Sequence, residues 1–279
     1  MIEVEYETIK FDSIFDIGEH VYTLHSKNVK RTRNGTESTA PNSLFYGNWN
    51  INNAIECAKS GGTWLEGTEA MPVIEIPHET LTGRPLPTAY ISTEIQGFAP
   101  NVPNFLTGVP DSMLDFNENL AGDKMLRVAV HVGRYGQCTQ KSILNRGSAI
   151  MAVLEQLSLE GYAIELTAIW RNSNKKQGAS IETIIKHSTD HWAPNSVAFA
   201  LCHAAFQRRL CWRVAESMGS VGSAITANSY GSGMEAKFDD YDIAFGYVNA
   251  SVDSNLTSPE QAVKYIKNST IKQLATLTN

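Results

Sequence analysis

The sequence predicts an α/β fold, namely a Rossmann-like, mostly parallel sheet flanked by helices, with an α+β N-terminal region. Residues 126–132 (LRVAVHV) are β-branched and largely apolar, as expected of a buried parallel strand. Residues 140–159 repeat apolar side chains at helical spacing, and residues 163–170 (AIELTAIW) form a second apolar run. A strand, a crossover helix and a second strand in this order indicate a right-handed βαβ unit.

The N-terminal elements are defined less sharply. Residues 1–27 alternate apolar and polar side chains and predict one or two strands. Residues 27–43 combine charge, hydroxyls, Gly and Pro, which favours an exposed, mobile loop. Residues 44–61 predict a helix that Asn50 can cap, and residues 71–76 (MPVIEI) predict a strand.

Residues 77–115 are rich in Pro and Gly, so we place a domain boundary shortly after them. The expected division is an N-terminal α+β region, 1–118, followed by the α/β domain, 119–279.

Four further elements are predicted in the second half. They are a strand at 181–186, a long helical stretch with one break at 196–218, a strand at 241–248, and a last helix that Ser258, Pro259 and Glu260 open.

Composition narrows the class of protein. The chain has 279 residues, 42% of them hydrophobic and 19% charged, which is enough for a sizeable core. The formal net charge is −6, so the surface as a whole does not favour binding of negatively charged nucleic acid. The four cysteines form no CxxC pair, which favours a reduced compartment. Neither a signal peptide nor a membrane-spanning run is visible, so we expect a cytoplasmic protein.

The order of strand, polar loop, helix and strand resembles a von Willebrand factor A domain. Several stretches also resemble an uncharacterised tailed-bacteriophage family whose second half is von Willebrand A-like. These stretches are SLFYGNWNINNAIECAKSGGTWLEG (43–67), GFAPNVPNFLTGVPDSM (97–113) and NRGSAIMAVLEQLSLEGYAIEL (145–166). The resemblance implies the fold and a phage origin, which would place the protein in the host cytoplasm.

The metal site of such domains does not carry over. A metal-binding von Willebrand A domain ends its first strand with Asp-x-Ser-x-Ser, whose oxygens suit Mg²⁺. Here residues 131–136 read His-Val-Gly-Arg-Tyr-Gly, which has no carboxylate and no hydroxyl at the matching places, and Arg134 would repel a cation. We therefore expect the fold without its metal, and no cofactor.

The carboxyl end of a parallel strand is nevertheless the usual place for ligands in such sheets. The loop at 133–136 could be a simple tight turn, and it matches neither GxGxxG nor GKS/T, so a nucleotide is not favoured. Our best candidates for a binding surface at this end are Arg134, Tyr135, Asn145 and Arg146.

Two clusters could hold a metal, although ordinary packed or solvated side chains explain them better. His187 and His191 are four residues apart, near Asp190, Cys202 and His203. Residues 239–242 (DDYD) bring three carboxylates together before a strand, which would suit a metal-dependent enzyme or a solvated turn. Neither cluster comes with a visible set of nucleophile, base and orienting group.

Basic residues cluster at three places, and in two of them a tryptophan, Trp170 or Trp212, lies beside the charges. Cations beside aromatic rings are what sequence-tolerant binding of single strands requires, although charge runs are more often solvated faces. The first cluster lies at residues 27–33. The other two supply the remaining candidate binding residues, which are Arg171, Lys175, Lys176, Arg208, Arg209 and Trp212.

We therefore expect a non-enzymatic phage adaptor that binds a protein partner, of phage or host, through a von Willebrand A-like scaffold. The alternative is a single-stranded nucleic-acid-binding protein that supports phage transcription or replication. A metal-dependent enzyme built on the 239–242 cluster is a third hypothesis.

Overall fold

The computed structural model describes residues 4–27, 44–69, 81, 90–93, 99–100, 102–106, 113–116, 125–173, 177–226, 238 and 240–277. Its strands are β1 (Glu5–Phe11), β2 (Tyr90–Thr93), β3 (Ala99–Pro100), β4 (Met113–Phe116), β5 (Met125–His131), β6 (Ala163–Ser173), β7 (Gln177–Lys186) and β8 (Ile243–Phe245). The predicted strand at 71–76 and nearly all of the predicted loop at 27–43 lie outside these residues.

The α-helices are α1 (Ile14–Ser26), α2 (Ile51–Lys59), α3 (Leu65–Glu69), α4 (Val102–Leu106), α5 (Gln140–Leu159), α6 (Pro194–Cys202), α7 (Trp212–Ser217), α8 (Gly219–Thr226), α9 (Ala250–Asp253) and α10 (Pro259–Leu277). A 3-10 turn covers Leu44–Tyr46, and a π-helical segment, Phe206–Cys211, precedes α7. No helix of the described ranges is long and apolar enough to cross a membrane.

The main sheet has five strands in the order β1-β7-β6-β5-β8. Its pairs are parallel except β6 and β7, which are antiparallel, so the fold is α/β with a mostly parallel, mixed sheet flanked by helices. A small antiparallel sheet has the order β2-β4-β3. The main sheet thus takes one strand from the expected N-terminal region, 1–118, and four from 119–279; the boundary between the two regions stays a prediction.

The central βαβ unit forms where the sequence predicts it. The middle of β5 is fully buried, as a strand between two parallel neighbours must be. Thr139 caps α5 by accepting a hydrogen bond from the Ser142 amide at 3.1 Å. Gly161 follows the helix with φ of 90°, a conformation that glycine adopts without steric cost. Helix α5 then packs against α6 and α10.

Four local expectations needed correction. The second element of residues 1–27 is a helix, α1, because Ser13 caps it and its apolar residues repeat at helical spacing. The third strand of the domain begins at Gln177 and forms a hairpin with β6. The stretch 196–218 is divided into α6, the π-helical segment and α7, and the strand expected at 241–248 is only three residues long.

Candidate functional site

Two loops meet at the carboxyl ends of β5 and β8. Because these strands are parallel neighbours, residues 132–139 and 246–249 leave the sheet side by side; we name these two loops together the carboxyl rim. Arg134 and Val248 form a parallel bridge, and the Tyr135 amide donates to the Val248 carbonyl at 3.1 Å. The two loops are therefore joined to each other by backbone hydrogen bonding.

The outer surface of the carboxyl rim combines exposed glycines with exposed polar residues. Gly136, Gln137, Gly246 and Asn249 are exposed, whereas Tyr135 is half-buried. A Cβ atom added at Gly136 or Gly246 would meet no heavy atom within 4 Å. The rim thus exposes backbone at both glycines, with open space at their Cβ positions, beside the exposed residues Gln137 and Asn249.

Arg146 holds the carboxyl rim from inside. This arginine of α5 is 3% exposed and donates to the carbonyls of His131, Phe245 and Gly246 at 3.1, 3.2 and 2.9 Å. One side chain therefore fixes the ends of both strands. The neighbouring Asn145 is also buried and donates to the Leu256 carbonyl at 2.8 Å.

Arg208 and Arg209 serve a similar structural purpose on the π-helical segment. Arg208 donates to the carbonyls of Phe45, Tyr135 and Cys138, and its guanidinium lies 3.9 Å from the centroid of the Phe45 ring. Arg209 donates through two nitrogens to the Trp49 carbonyl, at 2.9 and 2.7 Å. Both arginines therefore tie residues 45–49 to the core.

The sequence predicts that the ten candidate binding residues lie at the surface, and for most of them this prediction is wrong. Six of the ten residues are buried, because their polar groups are directed to backbone carbonyls or packed against rings and not to solvent. They are Arg134, Asn145, Arg146, Arg208, Arg209 and Trp212. Tyr135 stays at the rim.

The second basic cluster is described only in part. Arg171 donates to Ser180 at 3.0 Å and forms an ion pair with Glu182 at 3.2 Å, so its charge is partly compensated within the sheet. Lys175 and Lys176 lie outside the described residues.

A tyrosine, a cysteine and a carboxylate meet beside the carboxyl rim. The Tyr135 hydroxyl donates to Asp253 at 2.9 Å, and the Cys138 thiol donates to its other oxygen at 3.2 Å. Burial raises the pKa of Cys138 to about 12, an effect that the positive charge of Arg134 only partly opposes. The thiol is protonated at neutral pH, so this group fits a structural cross-link between the rim and α9 better than a nucleophile.

The two clusters considered as metal sites also make structural hydrogen bonds, as far as their residues are described. Asp242 accepts from the Arg127 amide at 2.7 Å, which attaches the chain before β8 to β5. Asp190 accepts from the His187 amide at 2.9 Å, as in a polar turn. Asp239 lies outside the described residues, and within them no group of three or more His, Cys, Asp or Glu side chains could hold a metal ion.

Two buried histidines have the same local geometry. The Nδ1 atom of His131 accepts from the Gly133 amide at 3.0 Å, and that of His203 accepts from the Ala205 amide at 3.0 Å. Burial, followed by the charge of Arg146, lowers the pKa of His131 to about 3. Burial alone lowers the pKa of His203 to about 3.

These histidines predict a pH dependence of stability. The unfolded chain protonates them near pH 6.5, whereas the folded chain keeps them neutral down to about pH 3, so the unfolded state binds more protons between these values. Stability is fully present above pH 6.5 and falls as the pH drops toward 3, by up to about 1.4 kcal/mol per pH unit for each histidine. We expect His131→Asn to reduce this slope in urea unfolding between pH 4 and 6.5. An unchanged slope would contradict the buried neutral state of His131.

The fold and the rim together define a class: an α/β protein with a mixed five-stranded sheet, in which internal arginines hold the loops of the carboxyl rim. More narrowly, residues 3–273 match the model of the family described as "Domain of unknown function (DUF7192)", so the chain belongs to this family. Comparison of this chain with curated proteins and with solved structures found no match.

Sequence reasoning missed the second loop of the carboxyl rim and its anchors. Residues 246–248 fall within the predicted strand 241–248, whereas the observed strand ends at Phe245. Asp253 was not singled out because it is isolated in the sequence. The signal that could have located the loop is Gly246, since an isolated glycine in a strand pattern often marks its interruption.

Proposed function

We propose that this protein is a non-enzymatic adaptor that binds a protein partner through the carboxyl rim. The observation that carries the proposal is the rim itself. Its two loops are bonded to each other and held from inside by Arg146, while Gly136, Gln137, Gly246 and Asn249 face solvent. Loops fixed before binding lose little conformational entropy when a partner docks, and this favours affinity.

The scaffold is proposed to be von Willebrand A-like and of tailed-bacteriophage origin. Support comes from the order β5, loop, α5 and β6 at the expected residues, and from the stretches that resemble the phage family. The loop at His131–Gly136 occupies the strand end at which a metal-binding domain of that type would carry Asp-x-Ser-x-Ser. Here the arginine of that loop is directed inward to the Leu201 carbonyl.

Single-stranded nucleic-acid binding is less well supported. This hypothesis uses Arg208 and Arg209 of the third basic cluster as phosphate contacts and Trp212 as a stacking platform. All three side chains are buried. A base cannot stack on a ring that the core already covers.

The adaptor proposal predicts that bulk added to the rim blocks binding. Gly136→Trp and Gly246→Trp add a large ring at two exposed positions where the new Cβ meets no heavy atom within 4 Å. We expect each to reduce recovery of the partner from infected host cells by about tenfold or more, as loss of about 1.4 kcal/mol would do. Quantitative affinity purification with equal amounts of folded bait measures this effect.

The matched control is Asn268→Trp, at an exposed position of α10 that is not part of the two rim loops. It should recover the partner as the unmodified protein does. Equal recovery by all three variants would remove the carboxyl rim as the binding surface, and turnover of nucleotides or nucleic acid by the purified protein would contradict the non-enzymatic role.

A further inference from the structure

Arg134 is a buried cation with few partners. Its side chain is 3% exposed and makes one hydrogen bond, from Nη2 to the Leu201 carbonyl at 3.0 Å. Its Nε atom is buried and has no hydrogen-bond partner among the described residues. A guanidinium carries five N–H donors, so most of the hydrogen-bonding capacity of Arg134 is unused within the described ranges.

The groups around Arg134 include two more arginines. Burial first, and then the charge of Arg134, lower the pKa of Arg146 to about 9 and that of Arg208 to about 10. The Nε atom of Arg208 is also buried without a partner in the part of the chain that the structure describes. Because a guanidinium keeps its proton at neutral pH, these lowered pKa values express first the cost of burying each charge and second its repulsion by Arg134.

Negative charge near these arginines is scarce. Between described residues, none of the three guanidiniums forms an ion pair with a carboxylate. The nearby carboxylate of Asp253 raises the pKa of Arg134, yet both of its oxygens accept hydrogen bonds, from Tyr135 and Cys138. Helix α5 begins six residues after Arg134 with no acidic side chain in its first turn, and its N-terminus adds positive potential.

We propose that Arg134, with Arg146 and Arg208 beside it, forms a binding site for a small oxyanion, a phosphate or a carboxylate, beneath the carboxyl rim. The planar fork of a guanidinium matches both groups, and binding in a site with little water strengthens the pair. This inference goes beyond the adaptor role, because it requires no protein partner.

The test uses thermal unfolding of the full chain at pH 7 in phosphate, sulfate or acetate, each compared with chloride at equal ionic strength. Binding to the folded state alone raises Tm, and we expect a rise of about 4 °C or more in about 50 mM phosphate. A response to phosphate and sulfate only identifies a tetrahedral oxyanion, and a response to acetate as well extends the site to carboxylates. Either pattern supports the proposal, whereas no rise with any of the three overturns it.

Substitutions test whether the anion-dependent rise in Tm depends on Arg134. Arg134→Met should abolish the anion-dependent rise, and its Tm in chloride should equal or exceed that of the unmodified protein, because an uncompensated buried charge has been removed. The control Arg127→Met changes an exposed arginine on β5 and should keep the whole rise. A rise that persists in Arg134→Met would overturn the proposal.

If Arg134→Met does not fold, Arg134→Lys keeps the charge without the fork and should show a smaller rise. A phosphorus-31 titration of the unmodified protein gives an independent readout. Saturable broadening or shift of the phosphate signal is the expected result, and an unchanged signal is the contradicting one.

Discussion

Replacing Arg146 by methionine is expected to lower the free energy of unfolding by about 3–5 kcal/mol. The substitution removes the donors for three carbonyls at the ends of β5 and β8, those of His131, Phe245 and Gly246. Buried acceptors that lose their partner keep the full cost of desolvation, about 1–3 kcal/mol each, and partial relaxation offsets some of it. Equilibrium unfolding in urea measures the loss.

Two comparisons make this result specific. Arg146→Lys keeps the charge but cannot reach three carbonyls with a planar fork, so we expect a stability between those of the methionine variant and the unmodified protein. Arg127→Met changes an exposed arginine and should stay within about 0.5 kcal/mol. A loss below about 1 kcal/mol for Arg146→Met would show that Arg146 does not hold the rim.

Trp212→Ala is the second substitution with a large expected effect, a loss of about 3–5 kcal/mol. The Trp212 side chain is 1% exposed, and its ring centroid lies 4.9 Å from that of the fully buried Trp170 in an edge-to-face arrangement. Truncation leaves a cavity in the core and removes an aromatic contact worth about 0.5–1.5 kcal/mol. The measurement is again urea unfolding, with the half-buried Trp192→Ala as the size-matched control.

The same variant separates the core role of Trp212 from a role in base stacking. A stacking platform would be exposed, so its loss would leave stability unchanged and weaken salt-sensitive binding of an oligonucleotide. We expect the reverse, with a large loss of stability and no salt-sensitive gel shift by either protein. Oligonucleotide binding at low salt that Trp212→Ala weakens without unfolding would restore the nucleic-acid hypothesis.

The two large predictions differ in physical origin. Arg146 contributes through directed hydrogen bonds to the loops of the carboxyl rim, so its loss should also impair partner binding. Trp212 contributes through volume and ring contact in the core, so its loss should lower stability without a specific effect on the rim. Partner recovery by each variant, measured at a temperature where both stay folded, distinguishes the two contributions.

The sequence by itself determined the elements whose signals are local. Helix α5 is predicted with its observed bounds, 140–159, because the spacing of apolar residues is a local signal within the helix itself; the structure adds the cap at Thr139. Strands β5 and β6 were predicted for a related reason, since strands buried on both faces require continuous apolar runs. The cap at Asn50 was confirmed, and α2 begins at the next residue.

Only the tertiary structure decided where the arginines point. Arg208 reaches a carbonyl 163 residues away in the sequence, and Arg146 reaches one 99 residues away. A charged residue is usually exposed, so the sequence alone favoured a solvated face for these side chains. Carbonyl oxygens are present at every residue and leave no mark in the sequence, and for this reason the partners that bury these cations could be found only once the chain had folded.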